Sequence, residues 1–172
     1  MSNQLPELAS AFARKAHEGQ TRKYTGDPYY SHVERVAALV AEHTDRQELI
    51  AAAFLHDTIE DCGVSYEEIA QQFGYDVADI VQALTNDEER KNKMGKVSYM
   101  IDKLTNMNPD ALLVKLCDTL NNMTETQSAH QAHQYFLIVE GVLKNPPLGW
   151  NKLHEKLASK IQDVYRVKWA LS

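Results

Sequence analysis

Apolar residues recur at helical spacing almost from one end of the chain to the other, and no period-2 alternation runs long enough to build a sheet. That pattern predicts an all-α helical bundle. Leu5, Leu8, Ala9, Phe12, Ala13 and Ala16 mark a first helix closed by Gly19. Val33, Val36, Ala37 and Val40 mark a second that Ser31 can cap, and Leu49, Ile50, Ala53 and Phe54 mark a third that runs into His56-Asp57. Ser65 with Glu68 reads as a capping box for a short helix stopped by Gly74, and Asp76 as the cap of the next, through Ile80, Val81 and Leu84. The polar, bi-signed run 85–95 reads as an exposed connection before a helix over 97–104. Asn108-Pro109 is a capping Asn followed by Pro at the first helical position, which predicts a helix through Leu112, Leu113, Leu116, Asp118 and Leu120. A further helix is expected over 129–143. Beyond the break at Pro146-Pro147, Leu153, Leu157, Ile161, Val164, Tyr165 and Trp169 define a last amphipathic helix.

At 172 residues the chain has the length of one domain that can bury a core without staples. Its start, MSNQLPELAS, has neither a basic nor an apolar segment of a signal peptide, and no apolar run is long enough to cross a bilayer, so a cytoplasmic location is expected. Cys62 and Cys117 lack the spacing of a disulfide framework or a zinc knuckle and read as reduced thiols, Cys117 buried. A formal net charge of -6 argues against a duplex nucleic-acid partner, which requires a basic face. A small phosphorylated ligand needs only local cations, and Arg14, Lys15, Arg22, Lys23, Arg90, Lys91 and Lys93 supply clusters of them. Self-association is left open.

The chemistry-bearing run is AAAFLHDTIED, in which an apolar helix ends on His56-Asp57. A His-Asp pair arises readily by chance, so its context decides. Adjacent helical residues diverge by about 100°, so both side chains can reach one ion only at a helix end or bend. Glu60 lies four residues after His56 and Asp61 four after Asp57. Four ionisable groups at the end of an apolar helix are costly to bury without a compensating cation, and mixed imidazole and carboxylate donors suit Mn²⁺, Fe²⁺ or Zn²⁺. His130 and His133, three apart, have no carboxylate pattern beside them and read as surface residues, as do His17, His43 and His154.

The run GQTRKYTGDPYYSHVERV, then FLHDTIED, then VKLCDTLNNM, resembles the hydrolase domain of RelA/SpoT-type HD enzymes and the stand-alone small alarmone hydrolases. The resemblance covers about residues 8–126 of a single domain 1–172, with C-terminal helices over 129–171. It implies a metal-dependent phosphohydrolase with one Mn²⁺ on His32, His56, Asp57 and Asp118, catalytic acids Glu60 and Asp61, and substrate contacts from Arg22, Lys23 and Asn122. The implied reaction removes the 3′-pyrophosphate of (p)ppGpp, the alarmone of the stringent response, to give GDP or GTP, and the short remainder after the matched stretch implies a hydrolase without a synthetase. The chain departs from the family pattern where Val33 follows His32 in place of proline, and where Thr119 and Thr124 stand in place of two arginines. The ligands alone are compatible with hydrolysis of another nucleotide or phosphate ester, or with a non-catalytic alarmone-binding module.

Overall fold

The computed structural model describes residues 4–170, in which helices are joined by turns and loops and the one β-type pairing is an isolated antiparallel bridge between Thr21 and Pro28. The chain divides into two compact units, Met1–Thr85 and Asn86–Ser172. Among the described residues, no helix is long and apolar enough to cross a membrane.

The first unit holds α1 (Gln4–Ala16), α2 (Tyr30–Ala41), α3 (Gln47–Leu55), α4 (Thr58–Cys62), α5 (Tyr66–Phe73) and α6 (Tyr75–Leu84). α3 is its centre, packed on α1, α2 and α6. Its sequence QELIAAAFL explains this: a helix apolar on every side has no face for water, and Ala51, Ala52 and Ala53, all fully buried, let neighbours approach closely. Two caps differ from expectation. Ser31 lies inside α2, and Tyr29, at the N-cap, makes no side-chain cap bond. Asp76 lies in the first turn of α6, which starts after Gly74 at φ +92°, a positive value that favours glycine. Ser65 does accept from the Glu68 amide.

The second unit holds α7 (Glu88–Met94), α8 (Lys96–Thr105), α9 (Pro109–Glu125), α10 (Ala129–Lys144) and α11 (Lys152–Tyr165), followed by a π-helical turn, Arg166–Ala170. The expected end of the last helix at 171 lies outside the described residues. α9 packs on α11, and α10 on α8 and α11. Asn108 caps α9 as expected, accepting from the Asp110 amide at 2.8 Å, an arrangement that contributes about 1 kcal/mol. The run 85–95 is not a plain connection. Asp87 caps α7 by accepting from the Arg90 amide, and Lys91 and Lys93 pair with Glu88 and Glu89 one turn back, so charge pairing makes a helix that buries none of its residues.

Candidate metal centre

Within the first unit the end of α3 and the start of α2 bring two imidazoles together. α3 ends at Leu55; His56 is its C-cap at φ -58°, ψ -27°, and Asp57, at φ -102°, ψ 0°, starts α4. This break lets two adjacent residues face one point, as the divergence of helical neighbours requires. His32 sits in the first turn of α2. Both histidines are buried, and their rings meet edge to face at 5.4 Å between centroids. One nitrogen of each lies within 4.8 Å of the other. Asp57 Oδ2 is 3.0 Å from His56 Nε2 and 3.8 Å from His32 Nε2.

The donor chemistry fits a divalent cation. His56 Nδ1 is 2.7 Å from the Ala53 carbonyl oxygen. That oxygen can only accept, so Nδ1 carries a proton, and it is Nε2 that faces the Asp57 carboxylate. A lone pair and an anionic oxygen at this distance repel unless a cation or a proton lies between them. The Ala53 carbonyl thus does what a backbone partner does behind a metal-bound histidine: it fixes tautomer and ring orientation. The second histidine completes a nitrogen and oxygen donor set of the kind that Mn²⁺, Fe²⁺ or Zn²⁺ takes.

α4 displays the remaining acids. One carboxylate oxygen each from Asp57, Glu60 and Asp61 lie within 4.8 Å of one another. Glu60 and Asp61 are exposed, so water screens their repulsion and they are not the buried charges expected from the helix end. Gly63, in the left-handed region at φ +68°, terminates α4 by returning its amide to the Thr58 carbonyl.

The polar loop before α2 carries Arg22 and Lys23. The Arg22 guanidinium lies over the Tyr29 ring at 5.3 Å, and the Lys23 ammonium is as far from the Tyr24 ring. Tyr29 and Tyr30, indistinguishable by sequence, have separate tasks: the Tyr29 hydroxyl donates to Asp57 Oδ2 at 2.7 Å, while Tyr30 is buried against Phe54, with its hydroxyl 2.7 Å from Ser10 Oγ. His17 is buried, not at the surface as its polar neighbours suggested. It stacks on Tyr29 at 4.8 Å, with Nδ1 2.8 Å from Gln20 Oε1, and burial pulls its pKa below the usual imidazole value. The nearby Cys62 thiol is pushed up by burial and so is not an activated thiolate.

In the second unit Asp118 is buried on α9, and both its oxygens are engaged from the same helix. Lys115 Nζ donates to Oδ2 at 2.7 Å and Asn122 Nδ2 to Oδ1 at 2.9 Å. Asp118 and Asn122 thus share a face, as their spacing predicted. Lys115 reaches Asp118 because it lies three residues before it on the same helix. Lys96, at the start of α8, lies 5.1 Å from the Tyr135 ring, and burial and then the Lys115 charge lower its pKa. Thr119 and Thr124 donate to carbonyls of their own helix, those of Lys115 and Leu120. Cys117 is buried as expected. His154 is not at the surface: it is buried, with Nε2 2.9 Å from the Pro109 carbonyl oxygen, and it completes the capping box of α11 with Asn151. His130 and His133 are exposed.

Residues 9–141 match the HD domain family. The chain is 39% identical over 126 residues to the guanosine-3′,5′-bis(diphosphate) 3′-pyrophosphohydrolase of Aquifex aeolicus, covering 68% of this chain and 17% of that one. It is 36% identical over 128 residues to the bifunctional (p)ppGpp synthase/hydrolase SpoT of Escherichia coli, covering 70% and 18%. It therefore spans under a fifth of the length of these curated relatives. Among solved structures, a metazoan ortholog of SpoT that hydrolyzes ppGpp superposes with a TM-score of 0.77 at 27% identity, covering 96% of each chain. A protein from Listeria monocytogenes superposes with a TM-score of 0.61 at 25% identity, covering 84% of this chain and 99% of that one. With more than half of its length matched to the family model, and with its His-Asp pair at a helix break, the chain belongs to the HD domain family.

Proposed function

We propose that this chain is a metal-dependent (p)ppGpp 3′-pyrophosphohydrolase acting in the cytoplasm, and that residues 1–172 work as one hydrolase domain. The likeness to the metazoan SpoT ortholog carries the reading, because it extends over 96% of each chain and so compares whole units of similar size. His32, His56 and Asp57 supply the converging donors described above, and Asp118 is the fourth ligand by its place in VKLCDTLNNM. Mn²⁺ is the proposed ion, since imidazole with carboxylate suits it and the relatives' chemistry is phosphoryl transfer to water. A divalent cation in such a site supplies Lewis acidity toward a phosphoryl oxygen and makes water acidic enough to react near neutral pH.

Glu60 or Asp61 takes the proton of the attacking water, the water oxygen bonds to the phosphorus attached to O3′, and the P–O3′ bond breaks. O3′ departs and is protonated, leaving GDP or GTP and free pyrophosphate. Exposure of both acids on α4 suits this role, because the proton must pass on to solvent. Arg22 offers the guanine a planar cation on which to stack, Lys23 steadies phosphates, and Asn122 contacts the nucleoside.

The test is pyrophosphate release from ppGpp by the purified chain with Mn²⁺. Turnover is expected, with His56→Ala losing both metal and rate and Glu60→Gln keeping the metal while losing about 10²–10⁴-fold in rate. Full activity of His56→Ala would sink the site. Thr119 and Thr124 favour a second reading: where the family pattern places cations, two hydroxyls bond to helix carbonyls, which suits a less highly charged nucleotide or phosphate ester. A substrate panel separates the two, and tight ppGpp binding without turnover would instead indicate a sensing module.

A further inference from the structure

We propose that Tyr29 is a positioning residue that sets the Asp57 carboxylate for the cation and ties it to the arginine-bearing loop. The inference rests on reading His32, His56 and Asp57 as ligands. Its observation is a closed set of contacts around α4. At the base of the loop, the Tyr29 amide donates to the Gln20 carbonyl at 2.8 Å, and the Arg22 amide to the Asp27 carbonyl at 2.8 Å, beside the Thr21–Pro28 bridge. Gln20 and Tyr29 are thereby paired across the loop. From that base the Gln20 side-chain amide reaches the end of α4, 3.3 Å from the Asp61 carbonyl and 3.7 Å from Cys62 Sγ. The Tyr29 hydroxyl reaches the residue before its start, donating to Asp57 Oδ2. One loop base holds both ends of α4, which follows Asp57 and carries Glu60 and Asp61.

The ring that makes this contact is itself held. His17 stacks on it and is fixed in turn by Gln20. The outer carboxylate torsion of an aspartate is broad and has little preference of its own, so a fixed donor on Oδ2 decides which way the oxygens point. Oδ2 is the oxygen that faces both histidine Nε2 atoms. The same ring lies under the Arg22 guanidinium, so Tyr29 touches the metal ligand through its hydroxyl and the substrate arm through its face.

These two contacts are separable. Tyr29→Phe keeps the ring and removes the hydroxyl; Tyr29→Leu removes both. In a calorimetric titration of the metal-stripped chain with Mn²⁺, Tyr29→Phe is expected to bind about 10–100-fold more weakly than wild type, with an unchanged metal-free melting midpoint. In turnover assays its rate is restored by raising Mn²⁺, at unchanged KM for the nucleotide, whereas Tyr29→Leu keeps a raised KM at any Mn²⁺ concentration. Equal Mn²⁺ affinity in wild type and Tyr29→Phe would overturn the role of Tyr29 and leave the proposed function standing. A loss of affinity that comes only with a collapsed metal-free melting transition would overturn it in favour of a packing role. Wild-type protein that takes up no Mn²⁺ would overturn both.

Discussion

His17 is the residue where polarity and burial compete most directly. Its neighbours Lys15 and Glu18 make a surface position the natural expectation, yet the side chain is 2% exposed. It is tolerated because its Nδ1 proton has the Gln20 side-chain Oε1 as acceptor, and the ring stacks on Tyr29. Burial is the largest influence on its pKa and lowers it, while the Gln20 bond and the Asp57 charge push the other way without reversing it. The sign for stability follows. The unfolded chain takes up a proton near the ordinary value of about 6.5, and the folded chain resists it, so the unfolded state binds more protons as pH falls through that value. The contribution is fully present above the unfolded value and is lost as pH drops toward the lowered folded value. In urea unfolding from about pH 7.5 down to about pH 5, wild type is expected to lose stability more steeply than His17→Phe, which keeps an aromatic ring against Tyr29 but cannot titrate. Parallel curves would show that His17 does not set the acid limb.

At the scale of elements, the glycine of α10 lets α8 approach closely in the second unit. A Cβ on Gly141 would collide with Ile101 Cδ1 on α8 and come within 2.6 Å of its Cγ1 and 3.1 Å of its Cγ2. In an isolated helix Gly→Ala gains about 1 kcal/mol. Here the β-branched Ile101 is stiff at χ1 and cannot swing all three atoms away, so overpacking costs about 1–3 kcal/mol and wins. Gly141→Ala is therefore expected to lower the denaturant midpoint, and a rise would mean that Ile101 moves freely. Such contacts explain which parts of the fold were legible in sequence. Helix ends were readable where one local bond decides them, at Asn108-Pro109 and Ser65. They were not readable where a positive-φ glycine starts the helix, as at Gly74 before Asp76, or where an Asp cap and charge pairs make a helix without a buried face, as over Glu88–Met94. The His-Asp pair was legible because an apolar helix must end there. The tasks of Tyr29, His17 and Gln20 were not, because they depend on a loop bridge that aligns residues from three segments, and periodicity carries no information about that.

For the molecule as a whole, a net charge of -6 opposes a polyanionic nucleotide at long range, but at physiological salt the Debye length is about 8 Å, so local cations and a bound metal decide affinity. The metal must also show in global stability. A ligand that binds only the folded chain adds RT ln(1 + [L]/Kd), about 2.7 kcal/mol at a hundredfold excess over Kd. For a chain of this size each kcal/mol moves the melting midpoint by about 2–4 °C, so Mn²⁺ at that excess should raise it by about 5–10 °C. Two groups could produce such a shift: the histidines with Asp57, or the carboxylates of Asp57, Glu60 and Asp61. Their variants discriminate. If the histidine site holds the ion, the shift disappears in His56→Ala and persists in Glu60→Gln, because imidazole nitrogen is the donor lost in the first and an outlying acid in the second. A shift that survives in His56→Ala and vanishes in Glu60→Gln would move the ion to α4 and leave the two buried imidazoles with a structural role.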